Sequence, residues 1–290
     1  MGRSGRSLGF RAPLARLARV ELLVPLRVIV SMYDSPDIGT LDQNILDQHE
    51  HRPWPLPRGP WRMFMRWSDL AFLHWRVPTD ALRPLVPAAL EIDTFDGRAY
   101  VGVVPFRMEA TRWRWAPPIP TATEFPETNV RTYVRSGDRA GVWFLSLDAA
   151  SRLAVWGARF MLNLPYYYAS MSLTRNGDSI HAISRRVGTV QGLGRFDATF
   201  EPVGEVRAVQ PGTIDHWFTE RYCLFGQRRG GAVYWMDVHH RPWPLQCGAA
   251  TINHNTMAAA GGVELPDEEP IVHFAKSIDV LAWLPSPIRS

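Results

Sequence analysis

At 290 residues, with 46% apolar and 21% charged side chains, the chain has the make-up of an ordinary globular protein, long enough to bury a core without staples. Its net charge of +4 is an end effect: residues 1–31 hold Arg3, Arg6, Arg11, Arg16, Arg19 and Arg27 against Glu21, a sum of +5, which leaves 4 − 5 = −1 for residues 32–290. A near-neutral body argues against nucleic-acid binding, which needs a basic stripe on the folded surface. The two cysteines, Cys223 and Cys247, fall in no zinc-like spacing and suit a reducing, cytoplasmic compartment, with both thiols read as small core residues.

In chain order, residues 1–60 read as a flexible N-terminal extension. The apolar run Val20 to Val30 is interrupted by Glu21, Pro25 and Arg27 and is too short to span a bilayer, so no stable membrane insertion is expected. A disordered tail or a start at Met32 is the plain reading, and the Pro-rich stretch 33–60 reads as a linker. Residues 61–290 read as a single domain. A strand is expected over 69–77, then a short helix and loop over 79–92, and a strand after the Asp96-Gly97 turn. Residues 117–126 read as a loop, and 127–135 with 141–148 as a hairpin around "SGDRAG". A helix over 151–163 has Ser151 as its N-cap. Strands are expected near 166–174, 180–187, 197–203, 216–225 and 232–240, a helix over 243–256 and a closing strand over 271–283. Many short strands and few helices predict a mostly β (α+β) domain with a closed or nearly closed antiparallel sheet.

The hairpin carries the sharpest signal. In "ETNVRTYVR" the pleat places Glu127, Asn129, Arg131 and Tyr133 on one face and Thr128, Val130, Thr132 and Val134 on the other. On an open sheet a polar face meets solvent; in a barrel the same face lines the interior. From the residues alone the two readings stand equal.

The runs "FPETNVRTYV", "GVWFLSLDAAS", "LPYYYASM", "FLHWRVP" and "VHHRPWPL" resemble the YqjF-like family, domain of unknown function 2071, over roughly residues 62–284. That family is similar in fold to acetoacetate decarboxylase, which implies a β-cone or double-barrel-type sheet with a central pocket, and a homo-oligomer would fit it. The resemblance favours the interior reading of Glu127 and Arg131. It sets Glu127 at the acidic position of the decarboxylase site and Pro165 at the proline before two lysines, where this chain has Tyr166 and Tyr167. Lys276, the one lysine in the sequence, does not match the catalytic position. Schiff-base decarboxylation, which needs that amine, is therefore not expected.

The remaining chemistry points to a small organic acid or carbonyl compound as ligand. Glu127 is a candidate general acid or base, and Tyr166 a donor to a developing oxyanion. Arg131 can clamp a carboxylate in a binding set with Asn129, Tyr133 and Arg185. Two alternatives stay open. One is a lyase or proton-transfer enzyme, the other a non-catalytic binding or sensor protein. The bland reading of Glu127 and Arg131 is a buried ion pair. His74 reads as a core histidine, and Asp237 and His239 share a face without enough further ligands for a metal. Trp113 and Trp115 among Arg112 and Arg114 read as a packed rim. No phosphate loop, dinucleotide fingerprint or nucleophile elbow occurs, so no cofactor is expected.

Overall fold

The structure is a computed structural model that describes residues 1–2, 38–188 and 193–288. Most of the N-terminal 31 residues, including the apolar run, lie outside the described residues. The chain divides into two units, Met1–Leu41 and Asp42–Ser290, and the second carries the fold. Among the described residues no helix is long and apolar enough to cross a membrane.

The stretch expected to be a linker joins the domain before Trp61. Helix α1 (Ile38–Asp47) is followed by Arg52, whose Nη1 donates to the Val238 carbonyl at 2.6 Å, and by Trp54, whose Nε1 donates to Asp237 at 2.9 Å. The prolines that suggested a linker instead shape a strap pinned by a buried arginine.

Among the described residues thirteen strands form one sheet: β1 (Met63–Val77), β2 (Glu91–Ile92), β3 (Ala99–Trp113), β4 (Phe125–Ser136), β5 (Arg139–Ala149), β6 (Tyr166–Asn176), β7 (Ser179–Arg186), β8 (Arg195–Arg207), β9 (Cys223–Gln227), β10 (Val233–His239), β11 (Leu245–Asn255), β12 (Ile271–Ala282) and β13 (Ser286–Pro287). Short helices α2 (Thr79–Leu82), α3 (Pro120–Thr123), α5 (Ile214–Thr219) and α6 (Met257–Ala260) and the longer α4 (Arg152–Leu162) join them. The sheet branches twice. β5 pairs with β9 at Val142 and Trp143 but with β6 from Leu147 to Ala149; β12 pairs with β11 from its start and with β10 at its end. Two closed rings result, β5-β6-β7-β8-β11-β12-β1-β3-β4 and β5-β9-β10-β12-β1-β3-β4, which share the wall β12-β1-β3-β4-β5. The expected double-barrel-type architecture is the one observed.

A wall shared by two barrels is buried on both faces, which is why β3 and β4 are buried almost continuously rather than at alternate residues. One face carries Ala71, Leu73, Val101, Val103 and Val130 into a packed core with Phe196, Phe200 and Phe274. The other face lines a cavity. Three irregularities keep that second face turned to the cavity along long, bent strands. Asp69 (φ 55°) and Ala110 (φ 50°) sit at breaks in β1 and β3, and β5 slips by one residue between Phe144 and Ser146.

Two local expectations fail. The expected helix 243–256 is instead occupied by β11 (Leu245–Asn255), because pairing with β8 and β12 outweighs the helix propensity of Ala249-Ala250. The expected strand 216–225 is split: Thr213 caps α5 by accepting from His216 N at 3.3 Å, and β9 starts only at Cys223. Of the two cysteines, Cys223 is buried but Cys247 is exposed and accepts from Arg207 at 2.7 Å. Helix α4 begins as read, with Ser151 Oγ accepting from Ala154 N at 3.2 Å, and ends at Asn163 in the left-handed conformation.

Candidate functional site

The cavity lies inside the smaller ring and measures about 330 Å³, the lower end of the range for small-molecule pockets. Its walls are mainly Met, Leu, Phe and Trp side chains from β1, β3 and β5, and its polar groups come chiefly from β4. Glu127, Asn129 and Arg131 all face inward. Four residues of strand separate Glu127 from Arg131, so their Cα atoms stand about 13 Å apart at ~3.3 Å per residue. Among the described residues no ion pair joins them, so the pair is not a structural salt bridge.

Glu127 is 2% exposed and accepts a hydrogen bond from the Tyr166 hydroxyl at 3.0 Å. Loss of water pushes its carboxyl up to about 8; the Tyr166 bond opposes this, and Asp148 on the far face of the wall adds to it. The carboxyl is thus protonated at neutral pH and able to donate. Tyr166 is held well above its ordinary range by burial first and by Glu127 second, so it stays a donor. β6 runs parallel to β5 and pairs Tyr166 with Leu147, which brings the tyrosine across β5 to Glu127. Tyr167 points elsewhere and covers the Arg186 guanidinium at 3.9 Å.

Arg131 is 9% exposed and has no carboxylate partner among the described residues. Its Nη2 donates to the Tyr133 hydroxyl at 3.4 Å, its Nε is buried without an acceptor, and the guanidinium lies 5.3 Å from the Phe72 ring. Tyr133 sits behind it, fully buried, with its hydroxyl 2.6 Å from His74 Nε2. His74 stacks on Phe218 at 3.6 Å, and the missing side chain of Gly102 makes room for the ring, since a Cβ there would stand 3.0 Å from it. His74 is therefore the core histidine it reads as, held neutral by burial and by the Arg131 charge. Tyr133 does not line the cavity and meets its polar face only through the bond from Arg131.

Arg221 is the polar residue that sequence reasoning missed. It follows α5, lines the cavity, donates to Asp93 at 2.6 Å and leaves Nη2 buried without an acceptor. Its guanidinium lies 4.9 Å from the Tyr133 ring that Arg131 also meets, and its carboxylate partner Asp93 lies 4.0 Å from Arg135 as well. No periodic signal in "TERYCLF" marks it out. Arg185 is exposed on β7 and does not line the cavity; its neighbour Arg186 is buried and pairs with Asp148 at 2.6 Å on the other side of the wall. The slip in β5 turns Ser146 and Asp148 away from the cavity while Val142, Phe144 and Leu147 face it.

Among the described residues, five buried donors without acceptors belong to residues lining this cavity: Arg131 Nε, Arg221 Nη2, Trp67 Nε1, Trp243 Nε1 and the Thr111 hydroxyl, which can also accept. Asn129 Oδ1 is the matching orphan acceptor. Unsatisfied buried groups are rare enough to need a cause, and this set is donor-rich.

His240 also lines the cavity and is pushed down to about 3 by burial, so it stays neutral. Asp237 takes Arg139 at 3.0 Å and Arg52 at 3.4 Å, and His239 Nε2 meets the Ile45 carbonyl at 2.9 Å. Among the described residues no group of three or more metal-ligating side chains gathers. Arg112 and Arg114 lie over the Trp61 ring at 5.3 and 4.7 Å, and Trp113 forms part of the cavity mouth. Lys276 is exposed on β12 and takes no part in the cavity lining.

The fold has solved counterparts. Acetoacetate decarboxylase from Legionella pneumophila superposes with a TM-score of 0.55 at 14% identity, covering 84% of this chain and 95% of that one. An acetoacetate decarboxylase-like enzyme from Sphingomonas wittichii gives 0.54 at 16%, covering 83% and 98%. The enduracididine biosynthesis enzyme MppR, complexed with the condensation product of pyruvate and imidazole 4-carboxaldehyde, gives 0.54 at 13%, covering 79% and 90%. At these identities the likeness is one of fold. In sequence, YqjF of Bacillus subtilis, an uncharacterized protein, is 42% identical over 234 residues, which span 81% of this chain and 94% of that protein. Residues 64–279 match the model of domain of unknown function 2071, described as an uncharacterized conserved protein, and the chain belongs to that family, on an acetoacetate decarboxylase-like fold.

Proposed function

We propose that the protein binds an organic acid in the cavity of the smaller barrel, with its carboxylate at Arg131 and Arg221, and that Glu127 exchanges a proton with the bound molecule. The observation that carries this reading is the surplus of buried, unsatisfied donors among the cavity-lining residues, one of them on Arg131, a cation with no carboxylate partner among the described residues. An acceptor-rich anion supplies what that set lacks. MppR, which shares the fold, is also described in complex with pyruvate, itself a carboxylate.

Glu127 is suited to proton transfer next to a carbonyl. Held protonated, it can give a proton to a developing enolate carbon or oxygen, and as the carboxylate it can take one back. Tyr166 orients it through the 3.0 Å bond. The resemblance sets Tyr166 and Tyr167 where the decarboxylases carry two lysines, and the chain's single lysine is exposed on β12, so the proton chemistry is proposed to run without an imine.

The test is exchange in heavy water. Keto acids and their reduced analogues are incubated with the protein in D2O, and deuterium at the carbon beside the carbonyl is followed by NMR. Enzyme-dependent exchange that drops about a hundredfold or more in Glu127→Gln supports the catalytic reading. Acids that bind without exchange make the protein a binding or sensor module on the same scaffold.

A further inference from the structure

We infer that the acid bound here is amphiphilic, with its carboxylate at the closed end of the cavity and an extended apolar chain leaving through a mouth at helix α4. The inference rests on Arg131 as the head-group site and adds the class of molecule that site takes.

Strand register orders the cavity along its length. On β4, Arg131 lies farthest from the mouth, then Asn129, Glu127 and Phe125; on β3 the partners of Asn129 and Phe125 are Val104 and Met108. Phe125 follows α3 directly, and Ala149, opposite Glu127, leads within three residues into α4. From Arg131 to Phe125 is six residues, or about 20 Å of strand. An acid a few bonds long fills only the inner end. The wall between is apolar, with Met65, Phe72, Phe106 and Leu164 among its side chains. Between the polar groups of Asn129, Glu127, Tyr166 and the Trp67 and Trp243 indoles, that wall carries no charged side chain to meet a second charged group, and most of its surface favours hydrocarbon.

The apolar lining does not stop at the opening. Trp113, Ile119, Leu153, Trp156 and Met161 line the cavity and are also 37–63% exposed, with Trp156 the most exposed of the five. Trp156 stacks on Phe160, itself 68% exposed, at 5.4 Å. A lone exposed apolar residue means little, but a cluster continuous with an enclosed apolar cavity marks a contact site. The continuity identifies the occupant as the outer part of the same molecule whose head lies within. Such a chain passes Glu127 on its way out, which sets the acid against the body of the ligand rather than its carboxylate.

The test is a length series. Acetate, butyrate, hexanoate, octanoate and decanoate are titrated against the full chain by calorimetry, with the matching alcohols as head-group controls. Each added methylene is expected to tighten binding about three- to fourfold, and the alcohols to bind far more weakly. Arg131→Gln should lose affinity across the whole series. A Leu153→Ser/Trp156→Ser protein, altered only at exposed positions, should lose the gain for the longest acids and keep it for the shorter ones. Affinity that is flat with length, or greatest for the shortest acids and still lost in Arg131→Gln, overturns this inference and leaves the acid-binding reading standing. Failure of every acid to bind overturns both. A double variant that changes only the sedimentation coefficient would make the α4 face a subunit contact and likewise overturn the inference.

Discussion

Arg131→Met is expected to lose acid binding by about a hundredfold or more and yet to melt a few degrees above wild type when no ligand is present. The two effects share one origin. A guanidinium 9% exposed, with no carboxylate partner among the described residues and one long hydrogen bond at 3.4 Å, is a charge moved out of water with little return. Methionine keeps the volume, drops the charge and suits an apolar wall. The gain should be about 1–2 kcal/mol, and a domain of this size shifts by roughly 2–4 °C per kcal/mol. A bound acid reverses the order, because wild type gains RT ln(1 + [L]/Kd) and the variant does not. Thermal melts with and without octanoate read both. A variant that melts several degrees lower without ligand would show that Arg131 holds the barrel together rather than waiting for an anion.

Glu127 makes stability fall as pH rises. Its folded value of about 8 lies above the ordinary 4.5, so between those two values the unfolded chain has released the proton and the folded one still holds it. With more protons bound in the native state, the slope of unfolding free energy against pH is negative, close to 1.4 kcal/mol per pH unit inside the window. The group's full contribution is present below about pH 4.5 and is lost by about pH 8. Glu127→Gln removes the titration and keeps the shape. The difference in unfolding free energy between variant and wild type should therefore swing toward the variant by several kcal/mol from acid to mildly alkaline pH. Denaturant melts at intervals across that range measure it. Parallel curves for the two proteins would mean that Glu127 is ionised throughout, and its role as an acid at neutral pH would fall.

Much of this site was visible in one strand. The alternation in "ETNVRTYVR" places Glu127, Asn129 and Arg131 together, and all three line the cavity. What alternation could not decide was which side is inside, because both faces of β4 are inside: Val130 belongs to one barrel core and its neighbours to the other. Tyr133 continues the face but passes behind the cavity, where His74 takes its hydroxyl. Arg185, expected in the binding set, is exposed on β7, and it is its neighbour Arg186 that is buried, paired with Asp148 on the other side of the wall. Arg221 was invisible because it sits just beyond a helix whose sequence reads as strand, and nothing local marks a residue placed by tertiary contact alone. β11 was misread for the same reason, its small residues carrying a weak helical preference that pairing overrides.

The breaks at Asp69 and Ala110 and the slip at Leu145 have a consequence for how this protein can change. Each inserts one residue of phase into a strand read on both sides, much as a single added base shifts a reading frame. Upstream and downstream of the shift, substitutions on one side alter the ligand chamber and those on the other alter the packed core, and the two sets do not overlap. Specificity can therefore drift without loss of the scaffold, so long as the phase is kept. A deletion at one of these three points would be far costlier than any single substitution beside it, since it exchanges the linings of two chambers at once.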